Sequence, residues 1–198
     1  MTMISSNPKP KPIAFALALG IGLTAWMPLV HADQHAHVHG VIKLDIAVDA
    51  QLLTIQMDSP LDNLLGFEHA PRSAAEKLAV QRLVQSLRAA DQRFKINPQA
   101  GCTLRKVELV SSTLGLGPSS SALSASAAST APPAEQAHGD LDGTFEFNCT
   151  HTAKITSIDL VFFEVYPHAR QIEVQIITPK GQSKRVLSRP ATRLRWPT

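Results

Sequence analysis

The stretch VIKLDIAVDAQLLTIQM, Val41 to Met57, decides the kind of protein this is. Its first half sets Val41, Ile42, Leu44, Ile46 and Val48 against Lys43, Asp45 and Ala47. Its second half puts Leu53, Ile55 and Met57 on one side. Successive side chains of a strand point to opposite faces, so apolar residues at period two mark a strand with one buried face. Asp49-Ala50-Gln51 divides the two halves and reads as a short turn. The stretch is therefore expected to form an antiparallel hairpin that needs a cover on one side.

Downstream runs DSPLDNLLGFEHAPRSAAEK, Asp58 to Lys77. Ser59, Pro60 and Asp62 have the spacing of a helix cap, a first helical residue and a capping-box acid. Leu61, Leu64 and Leu65 would form the apolar side of a short helix that Gly66 stops. A second capping box, Ser73 with Glu76, opens a longer helix. Val80, Leu83, Val84 and Leu87 recur at helical spacing, so this helix is expected across the apolar face of the hairpin, ending near Ala90. Cys102 to Val110 reads as a third strand. Ser111 to Ala137 is Ser, Ala, Pro and Gly with almost no charge, and it lacks the large apolar residues a packed segment needs. Strands resume with Thr144 to Cys149, the apolar run Ile155 to Phe163, and Gln171 to Thr178, where Ile172, Val174 and Ile176 alternate with polar residues. Pro179-Lys180-Gly181-Gln182 turns the chain into a tail rich in Lys and Arg. That tail reads as a solvated end, or as a contact to anionic lipid or an acidic partner.

This order predicts an α+β fold: an antiparallel sheet of about five to six strands with one long helix on a face, a short helix and a disordered Ser/Ala-rich loop. The expected organisation is a signal peptide over 1–32, the first half of the domain with a His cluster over 33–110, and a flexible linker over 111–138. The second half of the same domain follows over 139–182, and a basic tail over 183–198.

The signal-peptide reading rests on Lys9 and Lys11 ahead of the uncharged apolar run Ile13 to Val30, with Val30 and Ala32 suitably placed for cleavage. An uncleaved anchor is the alternative, because the run is nearly long enough to span a bilayer. Cleavage after Ala32 removes two of the 19 basic residues and leaves 17 against 16 acidic ones. A near-neutral mature chain gives a nucleic-acid partner no bulk electrostatic support. Export also bears on the two cysteines, Cys102 and Cys149. In an oxidising compartment a lone pair is expected to form one disulfide; a pair of thiolate zinc ligands is the alternative.

His35, His37 and His39 follow at alternate positions, on one side if the first strand reaches back to them. Neutral imidazoles are good ligands for zinc and copper, and three on one segment can converge on an ion while leaving a position open. If Asp33 becomes the N-terminus, then Asp33, Gln34 and His35 offer an amine, two amides and an imidazole in a square plane. That geometry suits Cu2+ or Ni2+. Glu68 and His69 lie in a loop and could bind metal, or His69 could equally cap the helix over 73–90 or hold the loop by hydrogen bonds. His138 and His151 flank one strand and could join a site, whereas His168 reads as an ordinary surface histidine. An enzyme is not expected: GxSxG, HExxH and phosphate-binding glycine loops are absent from the sequence, and Ser59 and Asp62 are explained as caps.

HVHGVIKLDIAVDAQLLTIQMDSPLDNLLGFEHAPRSAAEK and FEFNCTHTAKITSIDLVFFEVYPHARQIEVQIITPKGQ together resemble the ZrgA-type periplasmic zinc-binding proteins. The GFEH and TPKGQ segments are the most specific parts of the likeness. The resemblance implies zinc binding in the bacterial periplasm and assistance to an ABC-type zinc importer. It maps His35, His37 and His39 onto the N-terminal His cluster of that family and His69 onto the His of GFEH. Relatives carry a long His/Asp-rich tract between the halves, whereas here Ser111 to Ala137 holds no histidine and His138 follows it. The expected function is thus an exported transition-metal binder that buffers zinc or delivers it. The alternatives are a periplasmic docking module with little metal binding, or a copper protein acting through its N-terminus.

Overall fold

The hairpin expected from Val41 to Met57 forms the centre of a six-stranded sheet. The computed structural model describes residues 38–117 and 139–196. Strands β1 (Val41–Asp49) and β2 (Leu52–Pro60) pair in antiparallel register with Ile46 opposite Ile55, and Ala50 turns between them at φ 52°. Two short helices and a longer one follow: α1 (Leu61–Leu65), α2 (Ala74–Arg88) and α3 (Ala90–Arg93). Then come β3 (Phe94–Ile96), β4 (Cys102–Val110), β5 (Asp140–Cys149), β6 (Ser157–Leu160), β7 (Gln171–Thr178), β8 (Gly181–Ser188) and β9 (Arg193–Arg195). The large sheet has the order β4-β5-β2-β1-β7-β8 and a second sheet the order β3-β6-β9.

Strands dominate, so the chain is mostly β rather than α+β. The sheet also departs from pure antiparallel pairing, because β1 and β7 run parallel, with Ile42 beside Ile172 and Ile46 beside Ile176. The basic segment after Gly181 supplies β8 and β9. Its strands carry no visible period because β8 is an edge: only Leu187 is buried there, and Lys184 and Arg185 face water. Charges on an edge strand also keep it from pairing with another chain.

One face of the large sheet makes the core. Ile42, Leu44 and Ile46 of β1, Leu53, Ile55 and Met57 of β2, Phe145 and Phe147 of β5, and Ile172, Val174 and Ile176 of β7 are all buried. The second sheet and α3 cover part of it through Phe94. Its ring lies 5.0 Å from Phe145, 6.4 Å from Phe147 and 5.2 Å from Phe162, centroid to centroid. Helix α2 shares the core with the hairpin through Leu83 and Leu87. It approaches α1, α3 and β4, burying Leu83 and Leu87 while Val80 and Val84 are half covered and Leu78 faces solvent. The apolar run Ile155 to Phe163 is only partly strand. Its end turns after β6, so that Phe162, Phe163 and Tyr166 fill the core from a loop.

The two halves are joined as the cysteine reading expected. Cys102 and Cys149 are directly opposite on β4 and β5 and form a disulfide, so they are not metal ligands. The Ser73 box is also formed. The Glu76 N–H donates to Ser73 Oγ at 3.1 Å, and Glu76 Oε2 accepts from the Ser73 and Arg72 N–H groups at 3.0 and 2.6 Å. Those backbone donors at Ser73 and Arg72 hold the Glu76 carboxyl below its ordinary pKa. The substitution Ser73→Ala is expected to cost about 1 kcal/mol. Calorimetry should read this as a Tm lower by roughly 3 °C. An unchanged Tm would mean that the exposed first turns of α2 contribute nothing to stability.

Among the described residues no helix is long and apolar enough to cross a membrane. The expected signal peptide, Asp33, Gln34, His35, His37, His138 and most of the expected linker lie outside the described residues. Residues 111–117 belong to a closed turn: Ser111 and Leu116 form a backbone bridge, and Leu114 and Leu116 pack on the core.

Candidate functional site

Parallel pairing of β1 and β7 brings the starts of both strands to one end of the sheet. Gly40 joins them. Its carbonyl accepts from the N–H groups of Arg170 and Gln171 at 2.7 and 2.9 Å. Its φ of +85° is one that L side chains rarely adopt, and a Cβ here would stand 3.3 Å from the Arg170 side chain. Asn63 of α1 ties the junction to the next element. Its Oδ1 accepts from the Gly40 N–H, and its Nδ2 donates to the Val41 carbonyl at 2.7 Å and to Ser59 Oγ at 3.3 Å. Asn63 and Ser59 are both fully buried. Ser59 therefore does not cap α1. Strand β2 continues through it, Pro60 takes the cap position, and the Ser59 hydroxyl donates to the Pro60 carbonyl at 3.1 Å. The spacing matched a capping box, but the helix begins one residue later, at Leu61, so the cap position falls on Pro60, which has no side-chain oxygen to offer.

This scaffold presents two imidazole–carboxylate pairs. His39 Nε2 meets Glu68 Oε1 at 2.8 Å, and His168 Nδ1 stands 3.8 Å from Asp62 Oδ1. Both histidines are exposed over half of their side chains, at 58% and 52%. Glu68 is brought in by the turn at Gly66, which ends α1 at φ 79° and packs against the His168 ring. The His168 loop is held from below by Arg189. That guanidinium donates to the carbonyls of Ala169, Tyr166 and Pro167 at 2.9, 3.0 and 3.1 Å and lies over the Phe163 ring. Three of the four paired residues, His39, Asp62 and His168, line a cleft of about 450 Å³ with Gly40, Pro167 and Arg170.

Of the histidines singled out in the sequence, His39 reaches this cleft. His69 does not line it: its Nδ1 donates to the Ala70 carbonyl at 3.0 Å and its ring stacks on Phe67 at 5.0 Å. His151 sits at the other end of β5, against Thr150. The described chain resumes at Gly139, next to His138 in sequence. The Gly139 carbonyl accepts from Leu61 N–H at 2.8 Å, and its Cα lies so near the Glu68 carbonyl that a Cβ would come within 2.5 Å of it. His168 and Asp62 were the residues sequence reasoning missed. The only signal for His168 was its place in YPHAR directly before a strand, and Asp62 was assigned to a cap.

The chemistry offered is imidazole and carboxylate, the ligand types that suit zinc. In number the set falls short: among the described residues no three His, Cys, Asp or Glu side chains are grouped closely enough to hold a metal ion. A second cleft of about 400 Å³ at the other end of the sheet, lined by Val48, Ile155, Pro179 and Trp196 among others, offers neither His nor acid.

A family model described as ZrgA family zinc uptake protein matches residues 36–196. The chain belongs to the ZrgA family. The match runs from just before His37 to Trp196 and so takes in both strands of the central hairpin, the disulfide and every wall of the histidine cleft. Curated proteins yield no match to the chain. Membership gives this ZrgA-family protein a zinc-related role.

Proposed function

We propose that this ZrgA-family protein is exported to the periplasm, binds zinc there, and buffers it or passes it to an ABC-type importer. It acts by binding and release, without catalysis. The observation that carries this reading is the His39–Glu68 pair at the open end of the sheet, two residues after His37 and four after His35. A carboxylate on one imidazole nitrogen fixes the ring and makes the other nitrogen a better metal ligand. His39 thus serves as the anchored member of the cluster, with His35 and His37 completing the ligand set from the preceding segment. An exposed, incomplete anchor suits cargo that must leave again, whereas permanent structural zinc sites are closed by four protein ligands.

The test is a zinc titration by calorimetry on the processed, tag-free protein at neutral pH. Changing His35, His37 and His39 together to Ala is expected to abolish most of the affinity. Glu68→Gln, which keeps the shape and removes the charge, should weaken it about tenfold. Unchanged affinity in the triple variant would turn the reading toward a docking module. A Cu2+ affinity that exceeds that for zinc and disappears on acetylating Asp33 would turn it toward copper.

A further inference from the structure

The second cleft, of about 400 Å³, draws its walls from four places in the chain. Val48 and Ala50 stand at the end of β1, and Ile155 belongs to the loop over 152–156. Pro179 and Lys180 form the turn between β7 and β8, and Trp196 follows β9. Ile155 is buried, and Val48 and Trp196 pack on the core, so this apolar wall is fixed by the fold. The polar groups in it are already used. The Thr152 hydroxyl donates to the Ala50 carbonyl at 2.8 Å and the Thr178 hydroxyl to the Gly181 carbonyl at 3.2 Å. The Trp196 backbone N–H donates to the Thr156 carbonyl at 2.9 Å, and the Thr156 N–H to Asn97 Oδ1 at 2.8 Å. Lys180 is the one ionisable side chain that lines the cleft, and it is exposed and in no ion pair among the described residues. Lys154 and Arg195, each next in sequence to a wall residue, are exposed as well, against one acid so placed, Asp49.

Small-molecule sites are mostly apolar recesses of roughly 300–1,000 Å³ with a few polar groups that orient the ligand. A recess of this kind with a cation at its rim fits an amphipathic anion, because a lysine stem lies along apolar surface while its head stays in water. We propose that the second cleft binds a free medium-chain fatty acid, with the tail between Val48, Ile155, Pro179 and Trp196 and the carboxylate at the Lys180 ammonium. One ammonium suits a single negative charge better than a phosphate dianion. A folded partner would need a face of roughly 800 Å², whereas the four segments surround a recess. The site is independent of the zinc reading, since it offers neither His nor acid.

Octanoate titrated into the full processed protein tests it, read by tryptophan emission. Cleavage after Ala32 removes Trp26 and leaves Trp196 as the sole tryptophan, so the signal reports this cleft. A saturable change is expected, with affinity rising about fourfold for each added methylene from hexanoate to octanoate. Octylamine, the same tail with a positive head, should bind about tenfold more weakly than octanoate. Lys180→Gln should weaken octanoate about threefold and leave the two ligands nearly equal. Ala153→Phe, which fills the cleft from an exposed wall position, should abolish the change, with circular dichroism as its folding control. Phosphatidylglycerol vesicles should leave the emission as it was. No saturable change with octanoate would overturn the site, and so would a response that survives in folded Ala153→Phe. Octylamine binding as tightly as octanoate would overturn the carboxylate head. A shift with vesicles and none with octanoate would overturn the free acid in favour of a membrane surface.

Discussion

Replacing Asn63 with leucine is expected to cost about 3–4 kcal/mol, more than most single changes do. Leucine keeps the branched four-atom skeleton but removes both an acceptor and a donor. The Gly40 N–H then loses its partner in a buried position, the Val41 carbonyl loses the Asn63 donor, and the Ser59 hydroxyl keeps only its bond to the Pro60 carbonyl. Each buried polar group left unpaired costs about 1–3 kcal/mol. For a chain of this size the sum corresponds to a Tm lower by roughly 10 °C. The damage should be local before it is global. Gly40 anchors β1 to β7, so faster hydrogen exchange at the amides of Gly40, Arg170 and Gln171 is expected well below the melting range. A Tm change under about 3 °C, or exchange confined to α1, would mean that Asn63 does not hold the junction.

Removing the disulfide with Cys102→Ala and Cys149→Ala together is expected to destabilise by about 4 kcal/mol on the chain-entropy model, given the 47-residue separation. The effect arises in the unfolded chain, which becomes free to expand. Urea unfolding should therefore show a lower midpoint and also a steeper slope, because more surface is exposed on unfolding. Alanine suits the buried Cys149 position, where serine would add an unpaired hydroxyl. Reduction and alkylation of the unaltered protein should move the midpoint in the same direction. If the slope and midpoint both stay within error, the cross-strand bond is redundant with the β4–β5 pairing that surrounds it.

Both effects bear on the same design. Asn63 secures the end of the sheet where His39, Glu68, Asp62 and His168 meet, and the disulfide secures the opposite end of β4 and β5. Between them the core provides a rigid platform, so the exposed imidazoles can stay poorly covered without loosening the fold.

The amino-acid sequence by itself determined the elements whose signals are local. The hairpin β1–β2 and strand β7 follow from strict alternation over eight or nine residues, and α2 from its Ser73–Glu76 box and Leu83–Leu87 spacing. The cysteine pair followed from redox chemistry, and His39 stood out beside its neighbours. Tertiary structure alone decided the rest. β3 and β9 are three residues long, too short for any period to show, and β8 is a charged edge. These hidden strands are why the chain is mostly β. The Ser59–Asp62 spacing was indistinguishable from a cap until the buried Asn63 claimed Ser59 and the loop at His168 met Asp62. The cleft depends on β1 and β7 running parallel, a pairing of segments more than a hundred residues apart. Such a pairing is selected by the burial of two faces against each other, and no short window of residues contains that information.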